Sequence, residues 1–491
     1  MEQEKFIYIL LCFLALVTVA NAANENEQEF DQMCRLYKLL NDPITIPGLT
    51  ISLRSDSTEA ANQITLGILD RAQKINMSVA EQPIVEVLTN TDKYKNKAAV
   101  DGDATKKGYF NLKDDAELEK MRSAYKEVLG AQGAEKAFSK KYGRALEEKQ
   151  RQLLRPAMSN LYQNLANTAA LCQDLEAKLR QTIATARVHM GKALYGSKYA
   201  ATPTDLLSST GPLPNPTAAN FPWPTSADRK TACAKPDGDD STKAGNALAT
   251  DVVCICIRDH STGHDICAAG ISPAEANFAA SRSPANAAEA FEKIVAKCKP
   301  GSEKITLLNI ASKLTAAVQA VYARMDKNGI TAAAANGGPN GAAKRFNFYG
   351  ITALGGAAPG RGATGATTHA MAGEGVCIDY SAYLKPTKGI PWINNIEAAA
   401  AELKKGKELF AELNRELAKA VAQERQMETL LIVGTLLTPA VTTAPTETTY
   451  KKPTVEEQNK CKLKNTIAEE CPSKHCNYDD TKKQCKAKPG T

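Results

Sequence analysis

Residues 154–182 read LRPAMSNLYQNLANTAALCQDLEAKLRQT. Within them Leu154, Met158, Leu161, Leu165, Thr168, Cys172, Leu175, Leu179 and Thr182 recur at alternating spacings of three and four. Sustained over about four heptads, that alternation marks a helix laying one apolar seam along a partner. At 1.5 Å per residue, Leu154 to Ala186 alone spans roughly 50 Å. Pro156 removes a backbone donor inside the pattern, so a kink or a restart is expected there. Upstream, Leu118, Met121, Tyr125 and Val128 repeat the spacing, which extends the helical pattern from about Asp114 to Leu194 with a polar interruption.

A seam needs a partner, and the chain supplies one. After Gly389-Ile390-Pro391-Trp392, the residues Leu403, Phe410, Leu413, Leu417, Ala420, Met427 and Leu431 again follow three-four spacing. Glu402, Lys404, Lys405, Glu408, Glu412, Arg415 and Glu416 cover the other faces. Two long amphipathic helices most simply bury their stripes against each other. The intervening segment must return the chain, which an antiparallel pair achieves most easily. The expected fold is mainly α: an elongated antiparallel coiled-coil bundle with a loop-rich head. In that head, 199–245 reads as mostly loop, 285–325 as one or two helices, and the Gly/Ala-rich 330–375 as an exposed surface loop.

Composition agrees. Of 491 residues, 43% are hydrophobic but only 6% aromatic, so alanine and leucine carry the apolar content and favour helix over a β-sandwich. The net charge of +7 arises from 61 basic and 54 acidic residues with no dense Lys/Arg stripe, which gives a nucleic-acid partner no support. The one long apolar run, Phe6 to Ala20, follows Lys5 and ends at Ala20-Asn21-Ala22. It reads as a secretory signal over residues 1–22.

Cysteines fit that compartment. Cys12 leaves with the signal, and twelve remain: Cys34, Cys172, Cys233, Cys254, Cys256, Cys267, Cys298, Cys377, Cys461, Cys471, Cys476 and Cys485. An even number in a secreted chain reads as disulfides, with the pairing open. Asn76-Met77-Ser78 is the single glycosylation sequon, which makes Asn76 a candidate glycan acceptor. Residues 438–460, rich in Thr and Pro, read as a linker between a large domain at 23–437 and a small one at 461–491. The four cysteines of that small domain would supply two staples in place of a core.

The constellations that suggest chemistry are few. Cys254, Cys256, His260, His264 and Cys267 form the sharpest cluster. They read either as a zinc site or as disulfides beside a polar turn, and the oxidising compartment favours disulfides. Gly360-Arg361-Gly362-Ala363-Thr364-Gly365 matches G-x-G-x-x-G but has neither the preceding strand nor the following helix of a dinucleotide fold. His189, His369 and His475 complete the histidines, and no nucleophile-base pair is evident. No catalytic residue, cofactor or metal site is assigned.

Several segments together resemble the variant surface glycoproteins of African trypanosomes. Glu29-Phe30-Asp31-Gln32-Met33-Cys34-Arg35-Leu36-Tyr37 looks like the family's first helix with its early cysteine. Val253-Cys254-Ile255-Cys256 with Cys267, and Gly375-Val376-Cys377-Ile378-Asp379-Tyr380 followed by Ile390-Pro391-Trp392, resemble class B N-terminal domains. The four-cysteine tail resembles the small C-terminal domain. The resemblance implies a dense protective surface coat with antigenic variation, and no enzyme. It implies self-association as a homodimer or trimer, host antibodies as partners, and a GPI anchor in the outer leaflet of the plasma membrane. It also makes Ser or Thr between Ala332 and Gly375 candidates for O-linked sugar. Lys486-Ala487-Lys488-Pro489-Gly490-Thr491 shows no GPI signal, so a chain ending there is expected to be secreted. The rival readings are a nutrient or serum-protein receptor on the same scaffold, marked by a ligand-binding head, and a secreted hydrolase centred on His260.

Overall fold

The computed structural model describes residues 24–436 apart from 53–54, 58–59, 107–108, 111, 130–135, 143–145, 208–210, 234–239, 258–264, 272–277, 300–303, 332–346, 355–372 and 387, together with 476–479 and 484–487. The chain divides into two units, Met1–Ile432 and Val433–Thr491. The principal helices are α1 Glu27–Asn41, α2 Ala61–Ser78, α3 Gln82–Thr89, α4 Asp115–Leu129, α5 Glu148–Tyr195, α6 Leu248–Cys256, α7 Pro284–Val295, α8 Ile310–Arg324 and α9 Pro391–Leu436. Strands β1 Leu49–Ser52 and β2 Ser55–Ser57 form a small antiparallel pair. A three-stranded sheet runs β3 Gly329–Thr331, β4 Phe348–Leu354, β5 Gly373–Asp379, with β3 parallel to β4 and β5 antiparallel. In the second unit, β6 Cys476–Asp479 pairs antiparallel with β7 Gln484–Ala487.

The two heptad stretches are the two longest helices, 48 residues in α5 and 46 in α9. Each extends roughly 70 Å. Leu154, Met158, Leu165, Thr168, Cys172, Leu175 and Leu179 are buried on α5, as are Leu403, Phe410, Leu413, Leu417, Ala420, Met427 and Leu431 on α9. Their direction follows from their neighbours. A methyl group on Gly406 would meet Leu179 and Ile183 at 3.8 Å, and Leu179 shares a groove with Phe410 and Leu413. Cys172 lies within electrostatic reach of Glu416 and Lys419. Numbers rising along α5 meet numbers falling along α9, so the pair is antiparallel.

A third helix, α2, is fastened to both. The Glu176 carboxylate of α5 accepts the backbone N–H of Asn62 at 2.8 Å, capping the α2 N-terminus from outside. Arg71 of α2 forks onto Glu424 of α9, Nε to Oε1 at 2.5 Å and Nη2 to Oε2 at 3.0 Å. Each fully buried leucine or methionine in this three-helix core contributes about 1.5–3 kcal/mol.

At several points the structure differs from the sequence reading or refines it. The helix does not restart at Pro156; α5 is continuous, and Pro156 lies on its exposed side, where water reaches the carbonyl that loses its donor. The upstream pattern at Leu118 and Tyr125 is not an extension of the seam. It forms α4, which closes a separate core with Met77, Ile84, Val87, Leu88, Tyr94 and Leu112. Residues 330–375 are not wholly surface loop, because β4 and β5 occupy part of them. Those strands contain Tyr349, Ile351, Val376 and Ile378, all buried bulky residues among the glycines. The segment 199–245, read as mostly loop, is largely irregular among its described residues, with two short helices at Pro203–Leu206 and Arg229–Ala232.

Candidate functional site: a stapled head and exposed helix faces

Helix α6 is buried on every side, from Leu248 through Cys256. A helix without a polar face belongs inside a core. Residues two apart on a helix point about 200° away from each other, so Cys254 and Cys256 cannot converge on one ion. Cys254 bonds Cys233, and Cys256 bonds Cys267 in the opposite direction. A third bridge, Cys34 to Cys298, ties α1 to the segment after α7 across 264 residues. The thiols of the sharpest sequence cluster are therefore consumed in disulfides. Its histidines, His260 and His264, lie outside the described residues, as do His369, His475, Cys461, Cys471, the 360–365 glycine motif and the 438–460 linker. Cys476 and Cys485 lie on β6 and β7.

The cysteine count overreached at one described position. Cys172, expected in a bridge, is a buried free thiol in the α5 seam. Burial, reinforced by the Glu416 carboxylate, pushes its pKa up to about 11. It serves as a small apolar side chain there. Cys377 is buried on β5 and takes no part in the three bridges.

Asp251, a lone carboxylate in the α6 run, organises the head. One oxygen accepts the backbone N–H of Gly245 at 2.6 Å; the other accepts the Tyr380 hydroxyl at 2.5 Å and the Trp392 indole N–H at 2.7 Å. The carboxylate thus joins the loop before α6, the end of the sheet and the first turn of α9. Gly245 is required: its φ is +88°, and a Cβ would sit 2.2 Å from the Tyr383 ring. Burial pushes the Asp251 pKa up to about 7 against the pull of its three donors. No sequence motif singles out this residue, although a carboxylate inside ALATDVVCIC is a readable signal for a satisfied buried charge.

The start of α1 is anchored as firmly. The Asn26 amide nitrogen donates to the carbonyls of Ile255 and Val376, both at 2.8 Å, and its oxygen accepts the Ile351 N–H at 2.6 Å. Glu29, wholly buried, accepts from Arg324 at 2.6 Å. The Arg229 guanidinium donates to the Cys254 carbonyl from Nε at 3.1 Å and Nη2 at 2.9 Å. None of these residues was legible, because each acts through a partner far away in sequence.

The fold runs against the sequon expectation at Asn76. Its residue lies near the end of α2, is 5% exposed, and its Oδ1 accepts from Arg155 at 3.0 Å. A sugar on the amide nitrogen would require that packing to open.

Two open grooves flank α2. One is bounded by Ile46, Leu49, Glu176, Arg180 and Phe410. The other is lined by Arg71, Lys141, Glu424 and Glu428, whose charges already pair with one another. Arg425 also lines the second groove and is exposed. Asp251 is saturated and sealed. Much of what the described residues present outward is long helix surface.

Comparison with known proteins places this architecture. Residues 8–422 match the trypanosomal VSG domain. A curated relative, variant surface glycoprotein ILTAT 1.21 of Trypanosoma brucei brucei, is 26% identical over 276 residues, covering 54% of this chain and 49% of the relative. The chain thus spans about half the length of that relative in the match. With most of the chain matched, and with the paired long helices and stapled head in place, the protein belongs to the trypanosomal variant surface glycoprotein domain family.

Proposed function

We propose that this chain is a coat protein of the trypanosome surface. Its work is to occupy space over the membrane, shield what lies beneath, and be replaced as antibodies arise. The observation that carries this reading is the family match over residues 8–422 onto a fold whose polar groups are spent on holding itself together. Asp251, Asn26 and Glu29 each satisfy backbone or side-chain partners within the head. In the groove beside α2, Glu424 and Glu428 are engaged by Arg71 and Lys141. A scaffold so stabilised tolerates change in its surface segments, because those segments contribute little to the core.

The finer parts of the reading rest on the family. Copies stand side by side, held to the outer leaflet by a GPI anchor and meeting host antibodies through their outermost segments. Surface labelling of live trypanosomes expressing the tagged full-length gene tests the proposal. The expected result is a dense label released by a phosphatidylinositol-specific phospholipase. Retention inside the cell, or a label confined to one small patch, would contradict it.

A further inference from the structure

Arg187 lies near the C-terminal end of α5 and is only 2% exposed. A guanidinium stays charged at any ordinary pH, and a buried charge is ordinarily paired. Elsewhere in this unit that rule is kept: Lys106 meets Glu86, Arg122 meets Glu119 and Arg324 meets Glu29. Among the described residues Arg187 meets no carboxylate. Its Nη2 donates to the Gly211 carbonyl at 2.8 Å, and its Nε, sealed from solvent, has no acceptor. Burial holds its pKa below the ordinary arginine value, and the group that pulls the other way is the Tyr199 phenol.

Tyr199 is the second half of the arrangement. It is 6% exposed, and its hydroxyl is also sealed and without a partner. Burial pushes its pKa up to about 12, so the hydroxyl keeps its proton and is a donor. Asp205, the carboxylate that acts on Tyr199, is engaged by the Thr202 N–H and hydroxyl, both at 2.7 Å. Gly191 makes room for the phenol: a Cβ there would stand 2.1 Å from the Tyr199 ring, and 2.5 Å from the carbon that bears the hydroxyl. Gly191 is one turn beyond Arg187 on the same helix face, and Cβ atoms lean toward the helix N-terminus. The phenol therefore lies over the turn that Arg187 opens. The segment 211–215 crosses this face as well: Gly211 accepts from Arg187, and Asn215 Oδ1 accepts the Tyr195 hydroxyl at 2.7 Å.

We propose that Arg187 and Tyr199 together hold a chloride ion. What the place lacks is negative charge, and both groups it offers are donors. A water molecule accepts from both but brings no charge and two hydrogens of its own. A phosphate or carboxylate brings the charge together with further oxygens, each needing a donor where neither Arg187 Nε nor Tyr199 Oη reaches solvent. A chloride ion brings one charge at single-atom size, accepts from every side and donates nothing. Its presence pairs the buried guanidinium, and through that guanidinium it helps to hold the 211–215 segment against α5. The inference is independent of the coat reading.

The test uses the full-length chain, with chloride and bromide as probes. At constant ionic strength, replacing sodium gluconate by sodium chloride is expected to raise the thermal midpoint by about 2 °C and then saturate, since an ion that binds only the folded state stabilises it by mass action. Tyr199→Phe keeps the ring and removes one donor, so it should need about tenfold more chloride for the same rise. Arg187→Met, apolar and of similar length, should abolish the rise. In crystals grown in bromide, anomalous scattering should place an ion within hydrogen-bond reach of Arg187 Nε and Tyr199 Oη. Equal midpoints in gluconate and chloride, a Tyr199→Phe chain with the wild-type response, or a water at this position in the bromide crystals overturns the proposal. Bromide in the crystal without a chloride response in solution is an adventitious ion only, and overturns it too. Should Arg187→Met fail to fold, the Tyr199→Phe titration and the bromide map decide the matter.

Discussion

Asp251 shows how one residue can hold several elements at once. Asp251→Asn turns one acceptor oxygen into a donor facing Gly245 N–H, or Tyr380 and Trp392, inside a sealed core. The expected loss is about 2–4 kcal/mol of unfolding free energy, read by chemical denaturation. The pH dependence has a definite sign. The folded pKa lies near 7, above the ordinary carboxylate value of 3.8, so the folded state holds a proton that the unfolded chain gives up. Between about pH 4 and pH 7 this group's contribution to stability falls as pH rises, and it is complete below that window. The wild-type advantage over Asp251→Asn should therefore grow on acidification from pH 7 to pH 4. A difference that is flat, or that shrinks, would refute the assignment. At Cys172, the raised thiol pKa and burial predict no reaction with iodoacetamide in the native protein and full reaction after unreduced denaturation, read on its tryptic peptide. Asn76 should be unmodified: treatment with an amidase that removes N-linked glycans should leave the mass of its peptide unchanged, because Arg155 and the α2 packing occupy the space.

At the scale of elements, the inner and outer faces of α5 should respond unequally. Leu165 is wholly buried, whereas Leu153 is 67% exposed. Leu165→Ala is expected to cost about 3 kcal/mol through lost burial and the cavity it leaves. Leu153→Ala should stay within about 0.5 kcal/mol in the monomer. Similar costs at both sites would mean that the seam has been put on the wrong face. The inner seam was readable because its period is local: Leu154, Met158, Leu165 and Cys172 declare a face without reference to anything else. Leu118 and Tyr125 share that period, yet pack with Ile84 and Val87 instead, since a period gives a face and not its partner. The strands β4 and β5 were hidden by the Gly and Ala residues around them, which mask the alternation of Tyr349, Ile351, Val376 and Ile378. Asn26 and Arg229 were invisible for a different reason, since hydrogen bonds to carbonyls hundreds or tens of residues away leave no local trace.

For the N-terminal unit as a whole, three disulfides staple the head, and a shared core joins it to a long helical pair. Cys34–Cys298 closes the longest loop and constrains the unfolded chain most, so reducing the protein should lower its thermal midpoint substantially while α5 and α9 persist longest. The central claim is that α5 and α9 form one uninterrupted antiparallel pair whose exposed surface, more than any pocket, is what the protein offers. The most direct measurement is pulsed dipolar spectroscopy on spin labels at the exposed positions Gln152, Gln181 and Lys407. Helical rise predicts about 44 Å between 152 and 181. The antiparallel register predicts roughly 20–25 Å between 181 and 407, and a distance well above 35 Å between 152 and 407, each as a narrow distribution. A 152–181 distance below about 30 Å, or a label at 407 closer to 152 than to 181, would contradict it.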